Sequence, residues 1–215
     1  MQKDIYRSQA MKFTPVIGGI LLLGLLSSAE AQISVQNGDF ELGTANWNLF
    51  VPQESATAGC QFSVEDTAAH SGQKAARLRA TQKARFGINY FQNLVLPIKV
   101  GHLYRLTAWV KAGADFATDP DTPGPVLRAT LFDRQMKDVA GGHIFVGLQG
   151  VQRGDPSPLR GAPVPTNWTK IEGVVEIPPG TVTLILFVFC WKTSGTLWVD
   201  DVSVVEVDAS GSPVP

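Results

Sequence analysis

Hydrophobic and polar residues alternate with period two along most of this chain, broken mainly by runs of β-branched and aromatic residues. In "LYRLTAWVKA", Tyr104, Leu106, Ala108 and Val110 share one side of a pleat, and Arg105, Thr107, Trp109 and Lys111 share the other. The same reading picks out "ISV", "WNLF", "CQFSVE", "KAARLRA", "FGINYFQNLVL", "VLRATLF", "HIFVGL", "WTKIEGVVEI", "TVTLILFVFCW" and "TLWVDDVSVVEV". Turn signals separate them: "HSG", "VG", "PDTPGP", "AGG", "PPG" and "TSG". "QKAARLRATQKA" is helix-like in composition yet alternates as a strand, and no convincing amphipathic helix stands out. The pattern predicts an all-β fold, a β-sandwich jelly roll of about ten antiparallel strands.

The first 31 residues stand apart. Lys3, Arg7 and Lys12 precede "FTPVIGGILLLGLL", an apolar run short for a bilayer span, and Ala29 and Ala31 form an A-x-A cleavage pattern. The expectation is a signal peptide over 1–31, starting at Met1 or Met11, followed by one domain over 32–207 and a linker-like tail over 208–215. Export implies a secreted, periplasmic or cell-surface protein with no membrane attachment after cleavage. A net charge of −1 gives no reason to expect nucleic acid or an anionic membrane as partner, and the expected state is a monomer. Two loops, "GADFATDPDTPGP" and "QGVQRGDPSPLRGAPVPTN", are long and rich in Pro and Gly.

Cys60 and Cys190 are an even pair in an exported chain, so a disulfide and two buried thiols both stay open. His70, His102 and His143 lack metal-ligand spacing, and there is no G-x-S-x-G, H-E-x-x-H or phosphate-cradling glycine loop. That argues against an enzyme. What remains is a binding surface. Trp109, beside Arg105 on the polar side of its strand, reads as a sugar platform or as a ring covered by a loop. "VLRATLF" groups Arg128, Thr130 and Phe132, a mixture unlike a buried face. "TVTLILFVFCW" is apolar on both sides, which implies cover on both sides. If the second side lines a cleft, Phe187 and Trp191 reach ligand, while Phe189 reads as core. The adjacent Asp200 and Asp201 in a strand-like run are unusual, because strands exclude aspartate.

In order along the chain, "NGDFELGTANW", "HSGQKAARL", "VGHLYRLTAWVKA", "NWTKIEGVVEIPPGTVTLILF" and "LWVDDVSV" resemble the jelly-roll carbohydrate-binding modules of families four, nine and twenty-two. The resemblance implies a non-catalytic module that binds a polysaccharide or oligosaccharide on its concave sheet, with Tyr90 as a stacking aromatic. It also implies a structural calcium. Its ligands would be the Glu41 and Asp200 carboxylates and main-chain carbonyls near Asp39, Ser71 and Lys74. Trp47 and Trp168 would be structural. The alternatives are a protein–protein or envelope-assembly domain on the same scaffold and, less favoured, a small polysaccharide-active enzyme.

Overall fold

The computed structural model describes residues 32, 33, 35–90 and 98–214. The expected signal peptide and the second half of "FGINYFQNLVL" lie outside the described residues. Among the described residues eleven strands run in chain order: β1 (Gln32–Ile33), β2 (Trp47–Phe50), β3 (Gln61–Glu65), β4 (Ala75–Tyr90), β5 (Leu103–Ala112) and β6 (Ala117–Thr118). Then come β7 (Pro125–Phe132), β8 (Asp138–Gly147), β9 (Gly150–Arg153), β10 (Thr169–Glu176) and β11 (Thr183–Val207). All pairings are antiparallel. The all-β expectation holds, and "QKAARLRATQKA" is strand from Ala75 onward, on β4.

The strands form two layers. The first runs β3, the front of β4, the back of β11, β5 and β10, with β1 also on β11. The second runs β2, the back of β4, the front of β11, β7, β8 and β9, with β6 on β11 near the bend. Inward side chains of both layers fill one core: Leu78, Tyr104, Leu106 and Val110 from the first, Ile88, Leu131, Ile144 and Leu186 from the second. At Gly173 on β10, an added Cβ would meet the Val146 and Val151 side chains of β8 and β9, so the layers pack closely there.

Two pairs of expected strands turn out to be single strands. "KAARLRA" and "FGINY" are both parts of β4, and "TVTLILFVFCW" and "TLWVDDVSVVEV" are both parts of β11. The "TSG" turn signal marks a bend inside β11. The β4 ladder slips register between Cys190 and Gly195, and Lys192 and Gly195 take φ of 48° and 81°. Extra residues on one strand bend it and raise its twist, which carries β11 from one layer into the other without ending it. A Cβ on Gly195 would strike the Asp115 carbonyl, so the position requires glycine for both its φ and its contact.

The long loops also hold structure. The first contains β6, and the second contains β9 and a single 3₁₀ turn at Ser157–Leu159. The expected linker-like tail folds back on the sheet: Val207 bridges Pro213, and the Val214 N–H donates to the Glu206 carbonyl at 3.0 Å. Cys60 and Cys190 are both free thiols, and burial pushes that of Cys190 up to about 12.

Gly195→Ala should lower unfolding stability by about 1–3 kcal/mol, through strain at a positive φ and the carbonyl clash. A urea titration checks it. A wild-type midpoint would mean that the bend tolerates a side chain.

Candidate functional site

The outward side of the second layer holds the densest set of aromatic and cationic side chains. Register sets their order. Asn48 pairs Asn89, Asn89 pairs Phe187, Phe187 pairs Arg128, Arg128 pairs Phe145, and Phe145 pairs Gln152. Directly opposed residues of antiparallel strands point to the same side, so these six side chains form one row across β2, β4, β11, β7, β8 and β9. At about 4.8 Å per strand the row spans roughly 24 Å. A second row, Phe50, Gly87, Phe189 and Val126, runs beside it. Ile185, Thr130 and His143 form a third.

The rings pack against one another. Phe50 meets Phe187 edge-on at 5.4 Å between centroids, and Trp191 meets Phe189 at 5.6 Å. Phe145, Phe187 and Phe189 form a cluster with Val126 and Leu159, separate from the core between the layers. Two guanidinium groups lie on these rings. Arg128 sits 4.0 Å from the Phe187 centroid and 4.9 Å from that of Phe189, and Arg85 sits 4.4 Å over Trp191. Such contacts contribute about 0.5–2 kcal/mol each. Burial, reinforced by the charge of Arg85, brings the Arg128 guanidinium down to about 10.

Polar atoms on this side lack partners. Arg85 Nε, Arg128 Nε, Thr130 Oγ1, His143 Nδ1 and Trp191 Nε1 are all buried without a hydrogen bond among the described residues. Most buried polar atoms in folded proteins are paired, so five orphans in one layer set this side apart.

The residues expected from sequence divide among three places. Arg128, Phe187 and Trp191 come together on this row-bearing side. Arg105 and Trp109 face outward from the opposite layer, as their alternation implied. There Arg105 donates to the Gly211 carbonyl, and Trp109 stacks on His70 at 3.7 Å. Trp109 lines a hollow of about 490 Å³ with residues 35–39 and 201–203, so one face of its ring is covered by the turn at His70. Tyr90 corrects the expectation outright. It is 4% exposed in the core, tilts against Trp47 at 5.1 Å, and its hydroxyl accepts the Gln36 N–H at 2.8 Å. On β4 the even positions Phe86, Ile88 and Tyr90 face inward, leaving Arg85, Gly87 and Asn89 outward. That parity was the available signal for Arg85 and Asn89; Gln152 was missed because β9 lay in a stretch read as loop.

Four of the five residues expected around calcium, Glu41, Ser71, Lys74 and Asp200, gather at one turn. Glu41 Oε1 accepts the N–H groups of Gln73 (2.6 Å) and Lys74 (2.8 Å), and Lys74 Nζ donates to the Glu41 carbonyl. Those N–H bonds, from Gln73 first, hold the Glu41 carboxyl below its ordinary range. From the other side, Asp200 Oδ2 accepts the N–H groups of His70 and Ser71, and Oδ1 accepts that of Asp201. Asp39 Oδ1 accepts the Glu41 N–H. Burial pushes the Asp200 carboxyl up to about 6, against the pull of those three N–H bonds. Asp201 escapes the ladder. It sits at φ 47° where β11 slips against β5, and its carboxylate takes His70 Nδ1 (2.6 Å) and the Ser71 hydroxyl (2.7 Å). Among the described residues no three His, Cys, Asp or Glu side chains gather to hold a metal. A cation here would rest on two carboxylates and on main-chain carbonyls, hard oxygens of the kind calcium accepts.

The two-layer jelly roll is shared with solved carbohydrate-binding modules. The C-terminal family 22 module of Clostridium thermocellum Xyn10B superposes with a TM-score of 0.56 at 12% identity, over 86% of this chain and 99% of that one. The tandem family 22 modules of Paenibacillus barcinonensis Xyn10C give 0.55 at 16% identity, over 88% of this chain and 49% of theirs. The enzymatically active domain of bacteriophage CBA120 tailspike protein 4 gives 0.55 at 16%, over 81% of this chain and only 21% of that one. No family model matches the chain, and no curated protein sequence matches it. The likeness is one of fold.

Tyr90→Ala should destabilise the protein by about 3–5 kcal/mol, as deletion of a buried aromatic does. Thermal melts check this. A wild-type melt would place the ring outside the core.

Proposed function

We propose that this protein is an exported, non-catalytic carbohydrate-binding module that lays a polysaccharide along the row from Asn48 to Gln152. The observation that carries the reading is the row itself. Amides at Asn48, Asn89 and Gln152 lie along it with Arg128 near its middle; Phe187 and Phe145 are buried at 8% and 3% exposure, so the partly exposed Trp191 and Phe50 are the rings a sugar can reach. Sugar rings pack their C–H faces on aromatic side chains, while amides, hydroxyls and guanidiniums bond their hydroxyl groups. The fold shared with family 22 modules supports it. The make-up of the face favours binding over catalysis. Its carboxylates are Asp138, 3.6 Å from His143, and Glu54, 3.2 Å from Arg85, each beside a basic group. Among the described residues no helix is long and apolar enough to cross a membrane.

Trp191→Ala should weaken glycan binding by about 1–3 kcal/mol, as loss of an aromatic hot spot does. Trp109→Ala, on the opposite layer, should leave affinity unchanged. Calorimetry against xylan, mixed-linkage glucan and acidic polysaccharides, with melts of each variant, checks both. Loss of binding in Trp109→Ala alone would move the site to the other layer.

The proposal extends to a structural calcium held by the Glu41 and Asp200 carboxylates with the carbonyls of Asp39, Ser71 and Lys74. It is supported by the convergence of both acids on the turn at residues 70–74. An ion bound only by the native state stabilises it by mass action, so excess chelator should lower the melting temperature and added calcium restore it. An unchanged melt would leave the hydrogen bonds of Glu41, Asp200 and Asp201 to clamp the turn without an ion.

A further inference from the structure

The cationic groups of the candidate face are unequally compensated. Arg85 Nη1 reaches Glu54 Oε1 at 3.2 Å, and His143 Nε2 lies 3.6 Å from Asp138 Oδ2. Arg128 stands differently. Among the described residues no carboxylate lies within ion-pairing distance of it, although its side chain is half-buried between strands. The segment 91–97, which follows β4, reads "FQNLVLP" and contributes no acid. The guanidinium lies on Phe187 and Phe189, its Nε has no hydrogen-bond partner among the described residues, and the nearby charge of Arg85 disfavours its own more than that of Asp138 favours it.

A half-buried cation on apolar rings, beside a like charge, is costly unless something neutralises it. Hydroxyl groups of a neutral sugar would fill its hydrogen bonds but would leave the charge. A carboxylate would do both, because the planar guanidinium fork matches its two oxygens. The position fits such a ligand. Arg128 sits in the middle of the row, with Phe187 and Phe145 as its direct cross-strand neighbours. Those two rings are buried, but Arg128 and the partly exposed Trp191 both lie against Phe189, so a chain stacked on Trp191 would present ring substituents near the guanidinium.

We propose that the polysaccharide taken by this face is acidic, a uronate-bearing chain with one carboxylate docked on Arg128 and Arg85 contributing to the field around it. This rests on the carbohydrate-binding reading and narrows its ligand class. Binding is then sensitive to salt, since part of the attraction is between charges.

Calorimetry of the purified protein against oligogalacturonate and alginate oligomers, their carboxyl-reduced neutral forms, neutral xylo-oligosaccharides and poly-glutamate tests it. At least one uronate oligomer should bind on the order of 10- to 100-fold tighter than its carboxyl-reduced form, the loss typical of a charge-assisted hydrogen bond. Arg128→Gln should abolish the preference, Arg128→Lys should keep part of it, and NaCl at about 0.5 M should weaken uronate binding more than neutral binding. Equal affinity for acidic and reduced forms, or for neutral xylo-oligosaccharides alone, overturns the acidic ligand and keeps the carbohydrate reading. Binding of poly-glutamate as tight as that of uronate overturns it as well, by showing charge without sugar recognition. No binding to any glycan overturns both readings. If Arg128→Gln fails to fold, the comparison of acidic with reduced ligand on the wild-type protein decides.

Discussion

Strand β11 belongs to both layers at once, and the remaining architecture is arranged around that fact. Its front half lies between β4 and β7, and its back half lies against β4, β5 and β1. Both edges of one strand are thus hydrogen-bonded along most of its length, so its path fixes the angle at which the layers meet. The bend between Cys190 and Gly195 sets that path, and glycine at the end of the bend lets β11 pass close to Asp115. β4 runs beside it through the same change of layer. The row on the outer side of the second layer follows from this register, because Phe187 aligns Asn89 on one edge with Arg128 on the other.

Two groups of charge are buried in different ways. Asp200 is fully buried and is met by three backbone N–H groups, so its desolvation is largely offset within the protein. Asp201 leaves the ladder through a left-handed bulge, a conformation aspartate tolerates better than β-branched residues, and ties His70 and Ser71 down. Two adjacent aspartates in a strand-like run are therefore the fastening of a loop to the sheet. The arginines of the other layer are met mainly by ring faces, which attract a cation but leave donors open.

The alternation of "LYRLTAWVKA" was legible in full: its even residues are core and its odd residues face out. The all-β class followed from that period, repeated many times over. What the period cannot supply is which side of a strand meets the other layer. Tyr90 shows this. "FGINY" offers Phe86, Ile88 and Tyr90 against Arg85, Gly87 and Asn89, and the aromatic set lies inward because β4 continues the parity of Leu78 and Ala80 through its bend. "TVTLILFVFCW" carries no polar side at all, so its second apolar face gave notice of a covered surface without saying what covers it. Continuity was harder still, since "TSG" spells a turn locally and only the neighbouring strands make it a bend inside β11. The gathering of Glu41, Ser71, Lys74 and Asp200 at one turn was visible only through resemblance, because those residues come from segments far apart in the chain.

The position of β11 also governs when the fold can form. It is the last strand in chain order, yet neither layer is complete without it, and its contacts reach back to β1, β4, β5, β6 and β7. Pairings this distant in sequence make for slow folding, because loop closure must come before the contacts that reward it. A chain emerging from its N-terminus would hold β2 to β10 as hairpins and partial sheets until residues 183–207 arrived. Assembly is thus deferred until residues 183–207 are present, and then occurs with the insertion of one central strand.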